Sequence, residues 1–149
     1  MKRFMKLIFL AGILLTACST ATGIEVSNAW ARPALQDGNG AVYFLLENHA
    51  AAGEELTGVS SEAARAVEIH ESKMEGDVMQ MHQVLSVPLR GKESIEFGPG
   101  GYHVMLIGLI QELKAGDEIQ ITLHFKNHED LLLTVPVQEI APVGSMSDH

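Results

Sequence analysis

Apolar residues in this sequence occur in short runs separated by Gly, Pro, Asn and Asp, and they are not arranged at helical spacing. Such runs predict β-strands. The segment 118–125 alternates apolar and polar residues, as a half-buried strand does. Strands are predicted near residues 24–30, 41–47, 56–60, 66–71, 78–84, 94–97, 102–109, 118–125 and 131–137. Many short strands without a long helix or a repeat predict an all-β chain, folded as an antiparallel sandwich or barrel.

The amino-terminal segment predicts export. Three basic residues (Lys2, Arg3 and Lys6) precede an apolar run over residues 7–15. This run is far shorter than the roughly 20 residues that a membrane-spanning helix needs. We therefore predict a cleaved signal peptide over residues 1–17.

The end of this segment, Leu15-Thr16-Ala17-Cys18, resembles the lipobox of bacterial lipoproteins, in which the cysteine is lipidated and becomes the first mature residue. The alternative is an ordinary signal peptide with a chance cysteine. We expect a lipid anchor at Cys18 and a location in the cell envelope or periplasm. Ser19 at the next position favours the outer membrane if the envelope has two membranes.

The mature chain is then predicted to consist of a tether over 18–23, a sandwich domain over 24–141 and a flexible tail over 142–149. The full sequence has a formal charge of −9, and loss of the three basic residues lowers it to −12. Nucleic acid is a poor partner for so acidic a surface, and membrane contact is expected through the lipid anchor only.

Cys18 is the only cysteine. Once it is lipidated, the domain has no thiol. Disulfides, cysteine-based zinc sites and the thiolate-ligated copper of electron-transfer centres are therefore excluded.

Histidine and methionine are clustered between residues 70 and 105. The cluster contains His70, Met74, Met79, Met81, His82, His103 and Met105. Imidazole nitrogen and thioether sulfur are ligands for a soft metal ion.

Strand geometry groups four of these side chains. His70 and Met81 lie on the two arms of a predicted hairpin. A two-residue turn at 75–76 would place them directly opposite each other, and a turn at 76–77 would place them diagonally on the same face. His103 and Met105 are two residues apart and share a face. Two imidazoles and two thioethers form an uncharged, soft ligand set that suits Cu(I).

Other interpretations remain open at this point. Met74 and Met79 are interpreted as core packing. The side chains interpreted as hydrogen-bonded or simply exposed are His49, His82, His124 and His128. A metal-free interaction module is the alternative function. An enzyme using copper with Glu68, Glu71 or Asp77 as acid or base is a weaker one.

The arrangement of His70, Met81, His103 and Met105 resembles the signature of the periplasmic copper chaperones called PCu(A)C. The resemblance extends over nearly the whole mature domain. Matching flanks are Val67-Glu68-Ile69-His70-Glu71, Gly98-Pro99-Gly100-Gly101-Tyr102-His103-Val104-Met105-Leu106, Ala29-Trp30-Ala31-Arg32-Pro33, Ala41-Val42-Tyr43 with Asn48, and Leu113-Lys114-Ala115-Gly116-Asp117.

This resemblance implies a cupredoxin-like Greek-key β-sandwich that binds Cu(I) at a shallow surface site through those four residues and catalyses no reaction. It further implies delivery to the binuclear copper centre of cytochrome c oxidase subunit II, directly or through thiol-bearing copper-transfer proteins. We expect a monomer. Some members bind Cu(II) through a tail rich in histidine and methionine. The tail here has only Met146 and His149, so Cu(II) binding is left open.

Overall fold

A computed structural model describes residues 23–140 of the chain, and in this part it consists of strands, turns and loops without a helix. Accordingly, no helix within residues 23–140 could span a membrane. The predicted signal peptide, the predicted anchor at Cys18 and the predicted tail from 142 onward lie outside the described residues. The strands are β1 (Ile24–Ala31), β2 (Asn39–Asn48), β3 (Glu54–Ser60), β4 (Ala64–Glu75), β5 (Val78–Val84), β6 (Val87–Leu89), β7 (Ser94–Phe97), β8 (Tyr102–Leu109), β9 (Glu118–Phe125) and β10 (Leu131–Pro136).

The strands form two sheets. The larger has the order β1-β2-β7-β8-β4-β5, and the smaller has the order β10-β9-β3-β6. Strand β2 is ten residues long and pairs with two partners. Its first half pairs with β8 and its second half with β7. The prediction of an all-β sandwich is confirmed.

One strand was not predicted. The segment Val87–Leu89 is only three residues long, and Pro88 at its centre has no amide hydrogen to donate to a ladder. It forms β6 at the edge of the smaller sheet, where Pro88 lies opposite Glu55. The nine predicted strands all form, with ends that differ from the prediction by up to four residues.

The core lies between the two sheets. Alternation along the strands sends one set of side chains into it, and the fully buried ones include Val42, Leu46, Val104 and Leu106 from the larger sheet and Leu56, Ile121, Leu123 and Val135 from the smaller. Within residues 23–140 the buried cluster between the sheets extends from Ala31 to Val137. A chain that starts at Ser19 contains this whole cluster. The alternate residues of β8, among them His103 and Met105, project from the opposite face of the larger sheet.

The β4–β5 hairpin has a two-residue turn formed by Gly76 and Asp77, because Glu75 pairs with Val78. Gly76 has a φ of 66°, in the left-handed region that glycine tolerates without a steric penalty. A positive φ at the first turn position only is typical of a type II′ hairpin turn. This turn sets the register of the hairpin.

Candidate metal site

The two predicted histidine ligands lie side by side on the outer face of the larger sheet. His70 on β4 is directly opposite His103 on β8, and their ring centroids are 5.8 Å apart. One step along the same two strands, Glu68 lies opposite Met105. The structure therefore brings His70, His103 and Met105 together.

Met81 is less close to the group. It lies opposite Ser72, while Gln83 lies opposite His70, so His70 and Met81 are diagonal neighbours on one face. The prediction of a directly opposite pair is wrong, and the alternative turn at 76–77 is right. The physical reason is that the turn places its glycine at the first position, which needs the positive φ.

The register also fixes the order of the four donors. Met105 lies one step from the histidine pair in the direction of Glu68, and Met81 lies one step away in the direction of Ser72. The two imidazoles therefore stand between the two thioethers. Diagonal neighbours on adjacent strands are within reach of a long side chain such as methionine. Binding of one ion by all four residues requires both methionine side chains to turn toward the histidines.

His103 is held as a neutral imidazole. Its side chain is among the few buried polar groups of the described chain, with 5% exposure. Burial lowers the pKa of His103, the hydrogen bond to Gly101 partly opposes this effect, and a charge on neighbouring His70 adds a smaller lowering. Nδ1 donates this bond to the carbonyl oxygen of Gly101 at 3.2 Å, so the lone pair of the neutral ring is on Nε2.

His70 is oriented by a carboxylate. Its Nε2 donates a hydrogen bond to Oε2 of Glu68 at 2.7 Å. In the neutral ring the lone pair is then on Nδ1. Within residues 23–140, Nδ1 of His70 is buried and has no hydrogen-bond partner. A buried polar atom without a partner is costly, and a metal ion bound at that lone pair would remove the cost. A carboxylate on the other ring nitrogen is the usual support of a histidine ligand.

Aromatic side chains cover the side of the site next to β8. The rings of Trp30 and Tyr43 are 4.8 Å apart, and the Tyr43 ring is 6.5 Å from that of His103. The guanidinium carbon of Arg32 lies 5.7 Å from each of the two aromatic rings. This wall keeps water away from His103 and so contributes to its burial. The sequence names Tyr43 only in a matching flank and assigns it no role at the site, although its alternation with Ala41 on β2 places it on this face.

The site offers soft ligand atoms to a metal ion. Among residues 23–140 no group of three or more His, Cys, Asp and Glu side chains is placed to hold a metal ion. Sites for Ca²⁺ and Mg²⁺ are built from oxygen ligands, and Zn²⁺ prefers nitrogen, thiolate and carboxylate. Next to two imidazoles, the donors available here are thioethers, which favour Cu(I).

The three carboxylates considered above as a catalytic acid or base have structural contacts or positions in the hairpin. Glu68 binds His70, as described above. Glu71 forms an ion pair with Lys73 at 2.8 Å on the opposite face of β4. Asp77 belongs to the hairpin turn.

The remaining histidines of the described chain are hydrogen-bonded, in agreement with their interpretation. His49 contacts Glu25 at 2.9 Å and His82 contacts Glu75 at 3.2 Å. The other two bonded histidines are His124, with Ser60 and Asp130, and His128, with the Glu129 carbonyl. The interpretation of Met74 and Met79 as core packing is wrong, since they are 60% and 52% exposed. Both lie on the same face of the hairpin as His70, the outer face of the larger sheet, which points away from the core.

Fold and site together define the class of protein. The structure is similar to the copper-bound PCuAC domain from PmoF2, with 25% sequence identity and a TM-score of 0.67 over 82% of this chain and 97% of that one. It is also similar to CuI-DR1885 from Deinococcus radiodurans, with 27% identity and a TM-score of 0.57 over 81% of this chain and 83% of that one. The expected cupredoxin-like sandwich of the PCuAC type is thereby confirmed.

Residues 24–137 match the family model described as "Putative lipoprotein LpqE-like", and the chain belongs to this PCuAC-related family. A relative named as a lipoprotein, from Leifsonia xyli subsp. xyli, is 30% identical over 122 residues, which are 81% of this chain and 73% of the relative. A protein of Rickettsia prowazekii is 31% identical over 124 residues, which are 80% of this chain and 68% of the relative. The names of the family model and of the Leifsonia relative agree with export as a lipoprotein.

Proposed function

We propose that this protein is an extracytoplasmic copper chaperone that binds Cu(I) through His70, Met81, His103 and Met105. The observation that carries the proposal is the opposed histidine pair. Each ring has one nitrogen engaged in a hydrogen bond, which leaves the other with a lone pair. We assign Nδ1 of His70 and Nε2 of His103 as the ligand atoms.

The ligand set suits a carrier that releases its ion. Thioethers are neutral and individually weak, whereas the cysteine thiolates of a recipient bind Cu(I) more strongly. Transfer to thiolates is therefore downhill by exchange of one ligand at a time. Met81 is 51% exposed, so a recipient can reach the ion from this side of the site.

The recipient that we propose is the binuclear copper centre of cytochrome c oxidase subunit II or a thiol-bearing copper-transfer protein. We propose further that Cys18 carries a lipid and holds the domain at the outer membrane of a double-membraned envelope. The anchor then restricts delivery to partners that reach the same membrane surface. The acidic surface would accelerate encounter with a basic partner.

The test is copper-edge X-ray absorption on the chain from Ser19 to His149, loaded with one equivalent of Cu(I). The wild type is compared with a double variant, Met81→Leu with Met105→Leu, which nearly conserves volume and keeps the fold. We expect sulfur scattering in the wild type and its loss in the variant. An identical nitrogen-and-oxygen shell in both proteins would contradict the proposal and favour the metal-free interaction module.

A second candidate function rests on a hydrogen-bond chain in the smaller sheet. The hydroxyl of Ser60 is 2.8 Å from Nε2 of His124, and Nδ1 of His124 is 2.8 Å from Oδ2 of Asp130. This is the connectivity of a nucleophile, a base and an orienting acid. It ranks second because the side chains of His124 and Asp130 are 38% and 56% exposed, and water weakens the stabilisation of developing charge.

Ester hydrolysis decides between a triad and a structural chain. We expect Ser60→Ala to hydrolyse an activated aryl ester at the same rate as wild type. The slow hydrolysis in both proteins would then come from exposed histidine side chains acting without Ser60. A rate that depends on both Ser60 and His124 would establish the hydrolase.

A further inference from the structure

Three methionines stand exposed near the tip of the β4–β5 hairpin. Met74 is directly opposite Met79, and Met81 follows two residues later on the same face as Met79. Their exposures are 60%, 52% and 51%. We call Met74, Met79 and Met81 the tip methionines.

Packing does not account for these side chains. Large apolar residues stabilise a fold by leaving water, and half or more of each tip methionine remains in water. Val78 is 61% exposed as well, but it lies opposite Glu75 on the other face of the hairpin. A cluster of exposed apolar side chains marks a surface with a function. Because all three of the exposed apolar side chains on this face carry sulfur, that function calls for soft ligands.

The geometry lets three sulfur atoms meet. Directly opposite residues have Cβ atoms about 4.5 to 5.5 Å apart, and diagonal neighbours are within reach of long side chains. Methionine is unbranched and flexible, so its sulfur can adapt to a ligand. The charged pairs of the hairpin, Glu71 with Lys73 and Glu75 with His82, project from the opposite face. The face with the tip methionines therefore offers thioethers to an ion.

The tip methionines also lead to the histidine pair. Along β4 and β5 the donors follow in the order Met74 with Met79, then Met81, then His70 with His103. Burial increases in the same direction, from 60% exposure at Met74 to 5% at His103. Met81 belongs to both groups, since it is a tip methionine and a diagonal neighbour of His70.

We propose that the tip methionines form a thioether-only loading and release site, through which Cu(I) passes between a partner and the histidine pair. This inference rests on the proposed function and adds Met74 and Met79 to it. The copper remains Cu(I) throughout. As the lone pair of a histidine nitrogen bonds to the ion, one thioether bond to Met74 or Met79 breaks, and Met81 stays bound. No proton or electron is transferred.

The test compares rates with equilibrium affinity. A double variant, Met74→Leu with Met79→Leu, keeps the exposed apolar surface and removes the two sulfur atoms. In the chain from Ser19 to His149, we measure loading from and release to a chromophoric Cu(I) chelator by stopped flow. We expect both rates to fall roughly tenfold, about 1.4 kcal/mol in barrier height, with affinity within about twofold of wild type. His82→Gln on the opposite face of the hairpin is the matched control and should change neither quantity.

Rates equal to those of wild type in the double variant would overturn the inference while leaving the proposed function intact. A parallel loss of affinity would also overturn it, because Met74 and Met79 would then belong to the resting ligand set. Failure of the wild type to bind Cu(I), or unchanged affinity in His103→Gln, would remove the proposed function and this inference with it.

Discussion

Glu68 and His70 lie two residues apart on one strand, and the 2.7 Å contact between Oε2 and Nε2 fixes which nitrogen of the histidine faces the site. Glu68→Gln keeps an acceptor but loses the negative charge that makes the ring a stronger ligand. We expect the affinity for Cu(I) to fall about 10- to 100-fold, the usual effect of removing such a support. A competition titration with a Cu(I) chelator measures it. Glu71→Gln, on the other face of β4, is the control, and equal affinities in the two variants would disprove the role of Glu68.

The lowered pKa of His103, caused mainly by burial, makes the stability of the copper-free protein depend on pH. Below about pH 6.5 a histidine of the unfolded chain takes up a proton, whereas buried His103 does so only at lower pH. The contribution to the free energy of unfolding is therefore complete above pH 6.5 and is lost as the pH falls toward the folded pKa. Urea unfolding near pH 7.5 and near pH 5.5 tests this. His103→Gln should lose less stability on acidification than wild type, and an identical loss would contradict the assignment.

Trp30 is the single tryptophan of the chain and contacts Tyr43, whose ring lies beside His103. Copper bound to the histidine pair should therefore change the tryptophan fluorescence. We expect a change that saturates at one equivalent of Cu(I) and is absent in the double variant His70→Gln with His103→Gln. Saturation of an equal change in that variant would place the metal elsewhere.

Gly76 has a φ of 66°, so an added Cβ is strained although it meets no neighbour within 4 Å. Gly76→Ala should lower the free energy of unfolding by about 1 kcal/mol. Amide exchange in β5 should accelerate at the same time. Gly53→Ala, where the new Cβ makes ordinary contacts and φ is not positive, should change stability by less.

Asn48 is 2% exposed and links two loops. Its Nδ2 donates to the carbonyl oxygens of Ala52 at 2.8 Å and Arg90 at 3.0 Å, and its Oδ1 accepts from the amide of Ala50 at 2.9 Å. Asn48→Asp would direct a buried negative charge at two carbonyls and should cost roughly 3 kcal/mol or more. Chemical denaturation measures the loss. Asn39→Asp adds the same charge at an exposed position and serves as the reference, so equal losses would argue against the hydrogen-bond account.

Periodicity was enough to predict most of the fold, because strands with one buried face carry an alternating pattern. It failed at Val87–Leu89, where three residues around a proline are too few to show alternation. It also left the hairpin register open between two turns. Either turn places His70 and Met81 on the same face of the hairpin. The positive φ of Gly76 decides between the turns and makes the two residues diagonal neighbours.

The support around the donors was harder to predict. Even spacing along the strand places Glu68 on the same face as His70, so the sequence does indicate this carboxylate as a neighbour of the histidine. The sequence could not predict the exposure of Met74 and Met79. Strand spacing places them on the same face as His70, but it does not show whether another element covers that face at the hairpin tip. Buried and exposed methionines have the same spacing on a strand.

The two faces of the larger sheet have different roles, one in the core and one at the candidate metal site. Buried aliphatic and aromatic side chains on one face hold the sandwich together, while His70, His103 and Met105 project from the other. The protein consequently has no need of its cargo to remain folded. A carrier that stays folded after it releases copper can bind another ion, so a few copies can carry out many transfers.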